Sequence, residues 1–235
     1  FVSVCRKQRK NVRPRKPVCR PRRNIVGCRI QHGWKDMNGL ITYWKGTVLC
    51  QVPIMPSLYL IKYDGFDCVY AIELYKDENI SALEVLPERV VSPRIRDVQL
   101  ARKMVGKTVD HMFVSENGSD SKAPWKGLIL DQVPIMKAFF YITYEKEPIL
   151  FTYELLDDYK NGDLHFLPEP DQWLPRSLEG VAAENVLGRQ VEHIKKDGSK
   201  RIGMVILDVE SIPSVYLVKF VDDYYVYAYN VVKAA

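Results

Sequence analysis

The chain has 235 residues, is 47% hydrophobic and 27% charged, and carries a formal net charge of +5. No run reaches the ~18 apolar residues of a membrane-spanning helix, and the basic first 23 residues lack the apolar segment of a secretory signal. The five cysteines (5, 19, 28, 50 and 68) are unevenly spaced with no Cys-x-x-Cys, which reads as reduced thiols of an intracellular protein and argues against a clustered zinc site.

Residues 1–23 hold ten Lys and Arg and no acid, so the other 24 cations face all 29 Asp and Glu, a net of −5 for the remainder. A disordered basic arm therefore precedes an acidic body. The arm suits nuclear targeting or weak contact with nucleic-acid phosphates; the body suits a basic partner.

From residue 24 onward the chain repeats itself three times. Gly27, Gly106 and Gly188 open the copies, at periods of 79 and 82 residues, and His32, His111 and His193 follow five residues on. A second glycine set, Gly46, Gly127 and Gly203, has Trp44, Trp125 and Arg201 two residues before it. Tyr63, Tyr144 and Phe220 lie 17 residues after it, and Tyr70, Phe151 and Tyr227 lie 24 after it.

The first copy (24–91) reads as short strands over 26–31, 46–52, 58–63, 68–74 and 82–86, parted by turn signals such as Asp64-Gly65. A linker (92–104) with a short helix follows. The second copy (105–168) reads as strands over 108–113, 126–133, 139–144, 150–156 and 163–167. A Pro- and acid-rich linker (169–184), expected to be mobile, leads to the third copy (185–235), whose fourth strand is expected over 225–232. The third copy has no counterpart of the fifth strand, so it is either four-stranded or completed by another segment. The fold class is all-β: three tandem small antiparallel β-barrels packed as an array, because one such unit buries little apolar surface alone.

The aromatic sets have two readings. Rings in small barrels often fill the core. Rings converging at a barrel mouth instead form a cage for a quaternary ammonium, held by their negative faces at ~0.5–2 kcal/mol per good contact. The third copy puts Lys195 and Arg201 where the others have Trp34 or Phe113 and Trp44 or Trp125. Core positions rarely accept two cations, which places these slots at an open mouth. The second copy thus offers Phe113, Trp125, Tyr144 and Phe151, and the first offers Trp34, Trp44, Tyr63 and Tyr70. Acids follow: Asp64 and Asp67 in the first copy, Asp157, Asp158 and Asp163 in the second. They serve either turn chemistry or pairing with an arginine beside the cage. On a strand end Asp157 and Asp158 would point to opposite sides, with Asp158 facing the site. One shared repeat position makes the three histidines structural. No nucleophile elbow or phosphate loop is present, so the chain is read as a non-enzyme without cofactor or metal.

The stretches 24–30 (NIVGCRI), 57–65 (SLYLIKYDG), 140–146 (FYITYEK), 155–160 (LLDDYK) and 197–201 (DGSKR) resemble the spindlin (Spin/Ssty) family, which includes testis-specific members. The resemblance covers about residues 24–235. It implies three Tudor-like repeats and a nuclear, monomeric chromatin reader of the methylated histone H3 tail, active in transcription regulation in gametogenesis. By motif match, Phe113, Trp125, Tyr144 and Phe151 would cage trimethyl-lysine at the tail's fourth position, and Asp158 and Asp163 would contact a tail arginine. Some members take a methylated arginine in the first repeat, where Trp34, Trp44, Tyr63, Phe66, Asp67 and Tyr70 match. The third repeat is associated with a protein cofactor. Phe151 stands where the family usually has Tyr, Val114 where it has an acid, and the loop from Gly118 to Trp125 is two residues longer, with Pro124 before the Trp. These departures point to an altered affinity or mark preference. The other reading is a nucleic-acid-binding or interaction scaffold with degenerate cages.

Overall fold

Each repeat folds into its own antiparallel sheet. A computed structural model describes residues 24–90, 97–114, 122–178, 186–195 and 197–231. The basic arm (1–23), most of the lengthened loop before Trp125, and parts of both linkers lie outside the described residues.

The first sheet contains β1 (Cys28–Lys35), β2 (Ile41–Gln51), β3 (Tyr59–Tyr63), β4 (Val69–Ile72) and β5 (Ile80–Arg89), in the order β4-β3-β2-β1-β5. After helix α1 (Val98–Met104) comes the second sheet, built from β6 (Thr108–Val114), β7 (Lys122–Gln132), β8 (Phe140–Tyr144), β9 (Phe151–Tyr153) and, beyond helix α2 (Leu155–Asn161), β10 (Leu164–Phe166). Its order, β10-β6-β7-β8-β9, repeats the first. The third has β11 (Gln190–Ile194), β12 (Lys200–Asp208), β13 (Val215–Phe220) and β14 (Val226–Asn230) in chain order. Gly27, Gly106 and Gly188 each take φ near +80°, a left-handed turn open to glycine at little cost, which explains their recurrence at the start of every copy.

One irregularity recurs and organises the packing. The pairing of the second with the third strand slips between Val48 and Cys50, between Ile129 and Asp131, and between Val205 and Leu207. Such a bulge breaks the alternation of side chains and bends the strand. Neighbouring residues on it can then be buried in different cores. Val48, Ile129 and Val205 enter separate cores, one per repeat, whereas Leu49, Leu130 and Ile206 join one core shared by all three.

Backbone hydrogen bonds close the shared core into a ring. Val69 N donates to Leu150 O (2.8 Å) and Thr152 N to Asp67 O (2.8 Å), tying the first repeat to the second. Leu150 N donates to Val226 O (2.8 Å) and Ala228 N to Pro148 O (3.1 Å), tying the second to the third. Ala71 N donates to Tyr224 O (2.8 Å), returning to the first.

Two expectations change. The fourth strand of the second repeat ends at Tyr153, and 155–161 is helical, ending at Gly162 in a left-handed C-cap. The part of the 169–184 linker within the described residues is docked: Trp173 packs on the shared core, Leu178 is buried, and Leu178 N donates to Asn230 O at 2.8 Å. The third sheet therefore has four strands with this short segment beside β14. In the first two repeats the fifth strand pairs instead with the first, β5 with β1 and β10 with β6. Among the described residues, no helix is long and apolar enough to cross a membrane.

Candidate functional site

In each repeat the second strand lays its key residues against the first and third strands in one register. Trp44 faces His32, Trp125 faces His111 and Arg201 faces His193. Gly46 faces Tyr63, Gly127 faces Tyr144 and Gly203 faces Phe220. The glycines are needed because the opposite ring lies across them. A Cβ would fall 2.9, 2.8 and 2.7 Å from that ring, inside van der Waals contact.

In the second repeat Tyr144 is 1% exposed and forms the floor of a cup. Trp125 (5.7 Å between centroids, 83° between planes), Phe113 (5.7 Å, 81°) and Phe151 (5.4 Å, 64°) each meet it edge to face, and all three are partly exposed. Phe113 and Trp125 touch at 5.4 Å. Tyr153 also belongs here, 5.8 Å from Phe113 and stacked with Phe151 at 6.1 Å. It lies two residues after Phe151 on β9 and so on the same face, a signal the sequence carried. Trp125 attracts a cation already: Lys146 Nζ lies 5.2 Å from the centre of its ring.

Polar support reaches the cup from behind. Tyr144 OH lies 2.7 Å from His111 Nδ1, and His111 Nε2 lies 3.3 Å from Asp158 Oδ2. Burial pushes the His111 pKa down to about 4, so the ring is neutral near pH 7. The approach of the neutral ring to Asp158 is therefore not an ion pair. Burial also raises the Asp158 carboxyl, helped by Asp163 and Asp157. Asp158 sits on α2 rather than on a strand end, and Asp157 beside it is exposed. Asp163 pairs with Lys122.

The first repeat builds a related cup on Tyr63, 2% exposed, with its hydroxyl 2.6 Å from His32 Nε2. Trp44 (5.1 Å) and Tyr70 (5.4 Å) stand on it, and Phe66 stacks flat on Trp44 at 5.0 Å and 9°. Trp34 turns to Tyr224 of the third repeat (4.9 Å, 88°), and Tyr70 is backed by Tyr225 (5.4 Å). Asp67 is drawn towards the second cup, where its hydrogen bond with Tyr153 and its charge help burial hold that phenol's pKa above its usual value. Tyr224, Tyr225 and Tyr153 were not singled out from sequence.

In the third repeat a cation takes the place of one wall. The Arg201 guanidinium lies 4.2 Å from the centre of Phe220 and 4.8 Å from that of Tyr227. It bonds Asp222 at 2.7 Å and also Asp223, and its side chain is only 10% exposed. The expectation of an open mouth at this position fails: two acids and two rings let Arg201 be enclosed. Among the described residues, no cluster of His, Cys, Asp and Glu could hold a metal ion.

The family model described as "Spin/Ssty Family" matches residues 26–75, 105–156 and 187–232, one segment per sheet. The chain is 58% identical to human Spindlin-3 over 221 residues, 94% of this chain and 85% of that protein. It is 57% identical to human Spindlin-2A over 219 residues (93% and 84%) and 55% identical to mouse Spindlin-2C over 214 residues (90% and 82%). The chain belongs to the Spin/Ssty family. That membership makes it one of a family of non-enzymatic readers, with histone-tail binding in general and a generally nuclear location.

Proposed function

We propose that this Spin/Ssty protein reads the methylated histone H3 tail, with the second-repeat cup of Phe113, Trp125, Tyr144 and Phe151 enclosing trimethyl-lysine at the tail's fourth position. Asp158 and Asp163 form the acidic rim for a neighbouring arginine. In the first repeat, Trp44, Tyr63, Phe66 and Tyr70 offer the rings for a methylated arginine, while the other two expected members, Trp34 and Asp67, face Tyr224 and Tyr153; the third repeat carries a protein cofactor. The protein acts as a monomer in the nucleus, in transcription regulation in gametogenesis.

One observation carries the reading. In the third repeat, Arg201 stands at the position of the wall residue Trp125, and its guanidinium lies over Phe220 and Tyr227, the counterparts of Tyr144 and Phe151. The scaffold therefore places its rings where their faces meet a cation. In the second repeat the slot of Arg201 is taken by Trp125, another ring with an exposed portion. A methylated ammonium cannot satisfy acids by several hydrogen bonds, so replacing Arg201 and its acids by rings changes the fitting cation from guanidinium to quaternary ammonium.

Calorimetry with H3-tail peptides carrying zero, one, two or three methyl groups on the fourth residue tests this. The trimethylated peptide is expected to bind at least about tenfold more tightly than the unmodified one, the sum of two or three ring contacts. Equal affinity across the series would exclude the assignment.

A further inference from the structure

The rim of the second cup already contains a competitor. Lys122 is the first residue of β7, three before Trp125, and lies in register opposite Val114, the residue after Phe113. It thus lies on the strand pair that carries these two cup walls, one residue out of phase with them. Its Nζ contacts Asp163 Oδ1. Asp163 is fixed at the same place: its carbonyl accepts from Met112 N at 2.8 Å, and its amide donates to Asp158 O at 2.8 Å. Asp158 lies 3.3 Å from His111. Asp163 is therefore the rim acid that a cation of the protein itself already occupies.

The pair is exchangeable. The Lys122 and Asp163 side chains are 44% and 29% exposed, so water screens their attraction. The lysine is also particular to this repeat: the same position holds Ile41 in the first and Gly198 in the third.

We infer that Lys122 is a specificity-determining residue that competes with a second cationic side chain of the bound peptide for Asp163. This rests on the reader assignment above. While Lys122 is present, an arginine a few residues from the methylated lysine gains little from the rim. With Lys122 neutralised, it gains a full ion pair.

The test uses the full chain and two synthetic peptides containing trimethyl-lysine, one with arginine a few residues away and one with citrulline there. Wild type, Lys122→Ala, Lys122→Arg and Asp163→Asn are titrated by calorimetry at low salt. Lys122→Ala should tighten the arginine peptide by about three- to fivefold, the scale of an exposed ion pair, and leave the citrulline peptide unchanged. Lys122→Arg should match wild type, and Asp163→Asn should abolish the arginine preference. An arginine peptide bound equally or more weakly by Lys122→Ala, with the citrulline peptide still binding, overturns the inference and leaves the reader assignment standing. Failure of both peptides to bind wild type defeats that assignment, and the inference with it.

Discussion

Thr152 is bonded twice to Asp67: its backbone amide (2.8 Å) and its hydroxyl (3.3 Å) both donate to the Asp67 carbonyl. Thr152 follows Phe151, a wall of the second cup, and Asp67 belongs to the first repeat. The two candidate sites therefore share a backbone junction. Titration with a trimethyl-lysine peptide should shift the amide resonances of Asp67, Cys68 and Val69 as well as those of the second repeat. Shifts confined to the second repeat would show that the junction does not transmit occupancy.

Trp125 and Tyr144 should separate binding from folding. Trp125 is a partly exposed wall, so Trp125→Ala should weaken trimethyl-lysine peptide binding by at least about tenfold while lowering stability by only ~1 kcal/mol. Tyr144 is a buried floor in the core of its repeat, so Tyr144→Ala should cost about 3–5 kcal/mol of stability. Thermal melts beside the calorimetry distinguish the two, and a Trp125→Ala protein that binds normally would remove the cup from the site.

Acid should weaken the fold through its histidines. The His111 pKa lies at about 4 in the folded protein against 6.5 as a free side chain, and burial lowers that of His32 as well. The native state therefore binds fewer protons than the unfolded chain within that window. Stability is intact above pH 6.5 and falls as the pH drops towards 4, by up to about 1.4 kcal/mol per pH unit for His111. The raised Asp158 carboxyl works in the opposite sense and offsets part of the loss. Chemical denaturation at pH 7 and pH 5 measures the difference, and a His111 ring titrating near 6.5 in the folded protein would contradict it.

Arg201→Ala should destabilise the third repeat and spare the second cup. The guanidinium joins Asp222 and Asp223 and covers two rings, so its removal leaves Asp222 with Lys195 alone, Asp223 with the Tyr227 hydroxyl, and the rings uncovered. A loss of about 2–4 kcal/mol is expected, with trimethyl-lysine peptide affinity unchanged. Unaltered stability would show that the enclosed pair adds nothing.

Much of this molecule was readable in the chain. Gly46, Gly127 and Gly203 set a reference from which the strands and the ring positions followed, because each must admit the ring of Tyr63, Tyr144 or Phe220. The floor-and-wall distinction was hidden: Tyr144 and Trp125 look equivalent until Tyr144 is seen to be covered on all sides. Contacts between repeats obey no local period, so Tyr224 and Tyr225 against the first cup were invisible. Helix α2 was missed because apolar Leu155 and Leu156 continue the strand pattern, although Gly162 marked its end.

The circuit of hydrogen bonds through Val69, Leu150, Val226, Tyr224 and Ala71 ties the three repeats to one another. The first and second cups are joined through this backbone as well as through the chain between them. Any single peptide that occupies both must carry its two modified residues at one fitting separation, so spacing along the guest, as much as chemical identity, becomes a criterion of selection.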